Sequence, residues 1–303
     1  MDAPRETVLV TGSSGFIGRA TVLRLAERYT VVGLDRDLPP HPPPVAECVC
    51  VDLTSDASVR AAMERVRAGY GTRIASIIHL AAYFDLTGEP NPNYETVTVQ
   101  GTARLLQALK AFQLEQFVFA STMLVHAPAR RGQRIDEDWP LDAQNLPYRE
   151  SKLRTERLIR EARDGIPVVL IRPAGVYDDQ GHAAFLAHQI ARIYERKLNS
   201  RVYPGDLDTG QAYLHLDDLT AALLRIVERR NELPPELPLL LGEPAESTTE
   251  AGIDTSFECM RRLPVDERRG ETRSAAGSTA IVALGGLQRG ADALQDCNGG
   301  YAA

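Results

Sequence analysis

A long apolar run, a surplus of basic charge and a set of paired cysteines are all missing from this chain. No stretch approaches the roughly 18 consecutive apolar residues that span a bilayer, so no membrane partner is expected. The net charge is −7 with an isoelectric point near 5.5. That sign excludes the electrostatic footprint of a nucleic-acid or anionic-membrane binder. Cysteine occurs 4 times, as Cys48, Cys50, Cys259 and Cys297. So few, without further Cys or His nearby, build neither a disulfide framework nor a metal centre. Cys48 and Cys50 share one face of an apparent strand and read as two small buried thiols. The opening Met-Asp-Ala-Pro-Arg-Glu-Thr has no basic region running into an apolar stretch. No signal peptide is therefore expected, and the cytoplasm is the expected compartment. Internal repeats are also absent.

What is present is the balance of an ordinary globular protein, 44% hydrophobic and 25% charged over 303 residues. Short apolar runs alternate with helical periodicity. Strands are expected near 7–10, 30–34, 47–51, 74–80, 116–120 and 167–172. Helices are expected from the glycine turn to about Arg28 and near 56–68, 93–112 and 148–163. Such alternation makes a doubly wound α/β fold, a parallel sheet covered on both faces. Residues 1–172 form the expected Rossmann domain. A looser stretch, 173–251, reads as a smaller C-terminal substrate lobe interleaved with the last strands. It carries a helix near 181–197, a strand near 212–215, a helix from Asp217 capped by that residue, and an apolar run at 237–241. Pro39-Pro-His-Pro-Pro-Pro44 reads as a stiff extended loop. Residues 252–303 lose all periodicity; this tail is expected to be disordered or to come from a shifted reading frame.

Gly12, Gly15 and Gly18 follow the first strand and open a helix. Glycines let a backbone approach a pyrophosphate, and a helix N-terminus favours its charge. Ser13 and Ser14 can add hydroxyl and backbone contacts to the phosphates. Asp35 ends the second strand, where a carboxylate can accept both ribose hydroxyls and repel a 2′-phosphate. NAD is thus favoured over NADP, although Arg36 beside it could hold a 2′-phosphate. Asp52-Leu53 after the third strand places a carboxylate near an adenine, or simply makes a turn. Tyr148 and Lys152 lie four apart, on one face of a helix. A positive charge beside a phenol lowers its pKa, which suits Tyr148 to acid/base work.

These segments, in order, resemble the extended short-chain dehydrogenase/reductases, specifically the NAD-dependent epimerase/dehydratase branch. The resemblance rests on Thr11-Gly-Ser-Ser-Gly-Phe-Ile-Gly18, Asp35, Asp52-Leu53, His79-Leu-Ala-Ala82, Phe119-Ala-Ser-Thr122, Tyr148-x-x-x-Lys152, Ile171-Arg-Pro-Ala-Gly-Val-Tyr177 and Tyr213-Leu-His-Leu-Asp-Asp218. It implies that Thr122, with Ser121 as a neighbouring candidate, hydrogen-bonds the reacting oxygen. Tyr148 would exchange the proton, while Lys152 would bind the nicotinamide ribose and lower the Tyr148 pKa. Phe16, Ile17, Leu80, Ala81 and Ala82 would line the cofactor path, and Pro173 and Val176 would flank the nicotinamide. Helices near 93–112 and 148–163 match the segments through which such enzymes form homodimers.

Departures narrow the function. Thr98 stands where the branch usually has Asn, which alters the relay behind Lys152. Met123-Leu124 replace the Asp-Glu of dehydratases. Ala174 and Gln211 replace expected diphosphate ligands. His126 replaces a usual Tyr and reads as structural or solvent-facing. Trp139 reads as a loop anchor. His182, His188 and Phe185 are placed in the substrate lobe, and His215-Asp217-Asp218 in capping and packing. The expected function is hydride transfer to or from a small-molecule secondary alcohol or carbonyl, with a sugar or sugar nucleotide as one substrate class. The alternative is an NAD(P)-binding sensor or assembly module without catalysis.

Overall fold

The computed structural model describes residues 5–37, 46–85, 87–129, 133–142, 146–183 and 212–243. The proline loop, most of the expected helix at 181–197 including Phe185 and His188, Gln211, Cys259, Cys297 and the tail from 252 lie outside the described residues.

The sheet grows from β-branched and aromatic runs. β1 (Thr7–Thr11), β2 (Thr30–Asp35) and β3 (Ala46–Cys50) pair in parallel. The chain then returns to the other side of β1. There β5 (Ser76–His79), β7 (Phe117–Ala120), β8 (Val168–Pro173) and β11 (Glu236–Leu241) follow in turn. The seven-stranded order is β11-β8-β7-β5-β1-β2-β3. Strands β1, β5 and β8 are buried along their whole length. That is why they read as continuous apolar runs rather than alternating ones. Helix α1 (Phe16–Leu25) packs with α5 (Leu216–Glu228), and α2 (Asp56–Tyr70), α3 (Gln100–Leu109) and α4 (Pro147–Ala162) pack side by side. Val59, Met63, Leu105, Leu109 and Ile159 from these last three join Leu9, Ile77, Phe117 and Leu170 of the sheet in one core. The order of strands reverses between β1 and β5, so a crevice opens at their carboxyl ends, the usual ligand position in such sheets.

Four expectations change in detail. The strand expected at 74–80 divides: β4 (Arg73–Ile74) leaves the main sheet to pair with β6 (Gln113–Leu114), and β5 begins at Ser76. The helix expected at 93–112 divides too. Its first part, Tyr94–Val99, is a π-helical turn, and α3 starts only at Gln100. The cap of α5 is His215 rather than Asp217: the His215 ring accepts from the Asp217 N–H at 3.3 Å. Asp217 instead sits in the first turn, where a carboxylate still favours the helix dipole. Finally, Cys50 is exposed and Cys48 half-buried, because β3 is the sheet edge.

β9 (Gly175–Tyr177) and β10 (Tyr213–His215) make a separate two-stranded sheet, with the Gly175 N–H donating to the Ala212 carbonyl at 3.3 Å. Of the described residues, those in 5–176 and 212–243 belong to one compact unit and 177–183 to a second. In the second, Asp178 holds His182 Nδ1 at 2.7 Å. Among the described residues, no helix is long and apolar enough to cross a membrane, and no cluster of three metal-ligating side chains occurs.

Candidate active site

Gly12 leaves β1 with φ +69, a left-handed conformation that favours glycine. A Cβ there would lie 2.9 Å from the Ala81 nitrogen. A Cβ on Gly18 would fall 1.9 Å from the Gly12 carbonyl oxygen. The turn and the first turn of α1 therefore close only with glycine at both positions. Helix α1 starts behind Gly15, and no side chain caps it. An uncapped helix N-terminus above a glycine turn fits an anionic pyrophosphate. The hydroxyls of Ser13 and Ser14 turn elsewhere: Ser13 Oγ lies against Gly33, and Ser14 donates to the Asp37 carbonyl at 2.8 Å.

Asp35, at the end of β2, is oriented by the turn itself. Its two oxygens accept from the Ser14 and Arg36 N–H groups at 2.8 and 2.7 Å. The Arg36 guanidinium points to Asp37, at 2.9 Å. Asp52 accepts at one oxygen from both the backbone and the hydroxyl of Thr54, at 2.8 and 2.7 Å, which holds its carboxyl below the usual range. Its turn role is thus plain. Leu53 is buried, and a Cβ on Gly101 would lie 2.9 Å from its own. Across the crevice, Leu80 and Ala81 N–H groups donate to the Thr11 carbonyl and hydroxyl at 3.3 and 3.1 Å. Ala82 follows in the same loop. Pro173 ends β8 at this edge of the sheet, and Val176 lies in β9.

Thr122 leaves β7 and caps the short turn Met123–Val125, its hydroxyl accepting from the Leu124 N–H at 3.3 Å. Helix α4 begins with Pro147 in its first turn, where a missing N–H costs nothing. Its buried face carries Tyr148, Ser151, Lys152, Thr155, Glu156 and Ile159. The Thr122 side chain favours the Tyr148 phenolate, yet burial is the larger effect and pushes the phenol above its ordinary value. Lys152 lies 5.8 Å from the Tyr148 ring centre and donates to the Ala120 carbonyl at 2.7 Å. Burial brings its pKa down to about 7, opposed by the charge of Glu156. Proximity thus does not lower the Tyr148 pKa in this arrangement. The lysine is engaged with a carbonyl, and burial dominates the phenol.

Beneath the crevice, polar groups run in a chain. The Thr11 hydroxyl meets His79 Nδ1 at 2.6 Å, His79 Nε2 meets the Thr102 hydroxyl at 2.9 Å, and that hydroxyl donates to the Thr98 carbonyl at 2.6 Å. Since the Thr102 hydroxyl gives its one proton to Thr98, it accepts from His79 Nε2–H, and Nδ1 is left to accept from the Thr11 hydroxyl. Burial, then the charge of Lys152, holds the His79 pKa down at about 3. Thr98 lies in the π-helical turn, and its hydroxyl accepts from the Tyr83 N–H at 3.0 Å. The residue that departs from the usual Asn therefore ties that turn to the loop after β5.

A buried charge network escapes the linear sequence reading. Glu156 is fully buried and binds Arg172 through both carboxylate oxygens, at 3.1 and 2.8 Å. Burial raises the Glu156 pKa, but Arg172 outweighs it and leaves the carboxyl below its usual range. The Arg172 guanidinium also reaches His126 Nε2 at 3.2 Å, while His126 Nδ1 meets the Trp139 carbonyl at 3.0 Å. His126 is accordingly buried and structural, and Trp139, donating to the Ala127 carbonyl at 3.0 Å, anchors the loop. The signal was the spacing: Glu156 follows Lys152 by one helical turn on the same face.

The model of the NAD dependent epimerase/dehydratase family matches residues 8–240. The chain belongs to that family. Its relatives include human (Homo sapiens) 3 beta-hydroxysteroid dehydrogenase type 7, 31% identical over 234 residues, covering 70% of this chain and 61% of the relative. The chain thus spans about 61% of that curated relative's length. Among solved structures, MoeE5 in complex with UDP-glucose and NAD is 25% identical, with a TM-score of 0.62 over 80% of this chain and 77% of that one. The Thermus thermophilus UDP-glucose 4-epimerase complex with NAD has a TM-score of 0.63 at 24% identity, covering 84% and 92%, and supports the fold. The glycine turn follows the carboxyl end of β1 and Thr122 that of β7, and Lys152 of α4 reaches the Ala120 carbonyl at the end of β7.

Proposed function

We propose that this member of the family transfers hydride between NAD and a secondary alcohol or its carbonyl. The observation that carries the reading is the pair Tyr148 and Lys152 on one buried face of α4, with Lys152 bound to the Ala120 carbonyl two residues before Thr122. Gly12, Gly15 and Gly18 would admit the pyrophosphate to the N-terminus of α1, supported by the backbone of Ser14, Phe16 and Ile17. Asp35, preset by two backbone N–H groups, would accept the adenosine ribose hydroxyls and so favour NAD over NADP. Leu80, Ala81 and Ala82 would line the cofactor on one side, with Pro173 and Val176 beside its reactive ring; Asp52 and Leu53 would bound the adenine end. When bound, the cofactor supplies the hydride acceptor or donor.

The chain's own groups handle the proton. Thr122 holds the substrate oxygen by hydrogen bonding. Tyr148 gives that oxygen a proton in reduction and takes it back in oxidation. With the cofactor bound, Lys152 would hold the nicotinamide ribose in place of the Ala120 carbonyl, and its charge there would favour the Tyr148 phenolate. A relative acts, by its name, on a hydroxysteroid, and a structural neighbour binds UDP-glucose. Both present a secondary alcohol, which is the feature the proposed chemistry requires. Helices α3 and α4 are the proposed homodimer face.

The second reading is a non-catalytic NAD-binding module, and the engagement of Lys152 with Ala120 favours it. One experiment separates the two. Purified protein is given NAD and a panel of steroid alcohols, cyclic alcohols and nucleotide sugars, and nicotinamide absorbance is followed. Turnover that disappears in Tyr148→Phe supports the enzyme; cofactor binding without turnover of any alcohol supports the module.

A further inference from the structure

Phe84 is the most exposed large hydrophobic side chain among the described residues, at 61%. Single exposed apolar residues are common and usually mean nothing. This one differs in how it is held. Its ring meets Tyr148 edge-on, centroids 5.1 Å apart and planes at 89°. The residues on either side are tied down. Tyr83 donates its N–H to Thr98 and its ring packs against Tyr94 at 4.9 Å; the Tyr94 hydroxyl donates to the Asp85 carbonyl at 2.7 Å. The backbone of Phe84 is thus fixed while its ring stands out beside the proposed proton donor.

Among the described residues, the groups next to Phe84 and Tyr148 suit an apolar ligand better than a diphosphate. Leu124, two residues beyond Thr122, is also exposed. Arg149, next to Tyr148, donates to the carbonyls of Leu124, His126 and Asp142, at 2.5, 3.2 and 2.6 Å. The neighbouring charge on the Phe84 loop is the carboxylate of Asp85, which accepts from the Thr87 N–H at 2.8 Å and repels an anion. An exposed aromatic ring fixed edge-on against Tyr148 offers contact area to a flat apolar face.

We propose that Phe84 sets substrate specificity: its ring takes the apolar face of a fused-ring secondary alcohol or ketone and seats the carbinol carbon against Tyr148. This rests on the hydride-transfer reading and names the substrate class for the same site.

The test compares a fused tetracyclic secondary alcohol, cyclohexanol and UDP-glucose as substrates of the full chain with NAD. The tetracyclic alcohol is expected to have the highest kcat/KM. In Phe84→Ala its kcat/KM relative to cyclohexanol should fall by about 10-fold or more, the scale on which a pocket discriminates apolar groups. Phe84→Leu should recover most of that ratio, and Leu23→Ala on α1 should not move it. A ratio that shifts less than about 2-fold in Phe84→Ala, or a preference for UDP-glucose, overturns the proposal. A second readout is independent of chemistry: the matching tetracyclic ketone is titrated into NAD-loaded Tyr148→Phe protein with and without Phe84→Ala. Affinity should drop by about 10-fold with the alanine; unchanged affinity overturns the proposal. If no alcohol is turned over at all, the hydride reading fails, and this titration still decides the role of Phe84.

Discussion

Glu156→Gln is the most informative perturbation of the buried frame. Glu156 is 0% exposed and Arg172 is 2% exposed, and their two hydrogen bonds run in parallel. Removing one partner of such a pair strands the other charge and costs about 3–5 kcal/mol. Glutamine keeps one carbonyl acceptor of the right shape, so the lower end, ~3 kcal/mol, is expected. At about 2–4 °C per kcal/mol for a domain this size, the melting temperature should fall by roughly 6–12 °C. Glu156→Ala should fall further, whereas Glu156→Leu with Arg172→Met should recover most of the loss, since apolar replacement of a whole pair is close to neutral. The pH dependence has a definite sign. The Glu156 pKa is lowered in the folded protein, so its contribution is present above the unfolded value of 4.5 and disappears as pH falls through the folded one. Wild type should therefore lose its advantage over Glu156→Gln in acid. Calorimetry or urea unfolding at pH 7 and in acid measures both. A loss below about 1 kcal/mol for Glu156→Ala at pH 7, the scale of an exposed pair, would refute the reasoning.

Three further outcomes follow from the site. Gly18→Ala should abolish NAD binding in a fluorescence titration, because its Cβ would fall 1.9 Å from the Gly12 oxygen and only a backbone shift could relieve it; binding at wild-type affinity contradicts the tight turn. Asp35→Ser should raise NADP use relative to NAD by about tenfold or more, read as a ratio of kcat/KM values. Lys152 has a folded pKa near 7 against 10.5 unfolded, so its charge penalises folding fully below pH 7 and less as pH rises toward 10.5. Lys152→Met should consequently stabilise the protein more at pH 6 than at pH 9.5 by thermal melting, and an equal gain at both would mean that the amine is not desolvated.

The fold was largely legible because its signals are local. Continuous apolar runs such as Val168–Ile171 mark strands buried on both faces, and the glycine turn at 12–18 leaves no other backbone solution. The same holds for Tyr148 and Lys152, which share a helix face by spacing alone. What stayed hidden depends on contacts between distant segments. Nothing local says that Ala120 will receive the Lys152 ammonium, or that Arg172 will lie between Glu156 and His126. The phenol was expected to be acidified by its neighbour, but burial decides its pKa, and burial is a property of the whole core. Cys50 came out exposed because edge strands and central strands look alike in sequence. The π-helical turn at Tyr94–Val99 runs without a break into α3 at Gln100, so the two read as one helical stretch.

The central claim is that Tyr148 handles the proton of a hydride transfer, and Tyr148→Phe tests it most directly. The substitution removes one oxygen from a buried ring and leaves the glycine turn and Asp35 untouched. The measurement is kcat/KM with NAD and the best alcohol found, alongside the affinity for NAD. The account predicts a loss of at least about 100-fold in kcat/KM with NAD affinity within about twofold of wild type. Turnover by the phenylalanine variant at the wild-type rate would contradict it.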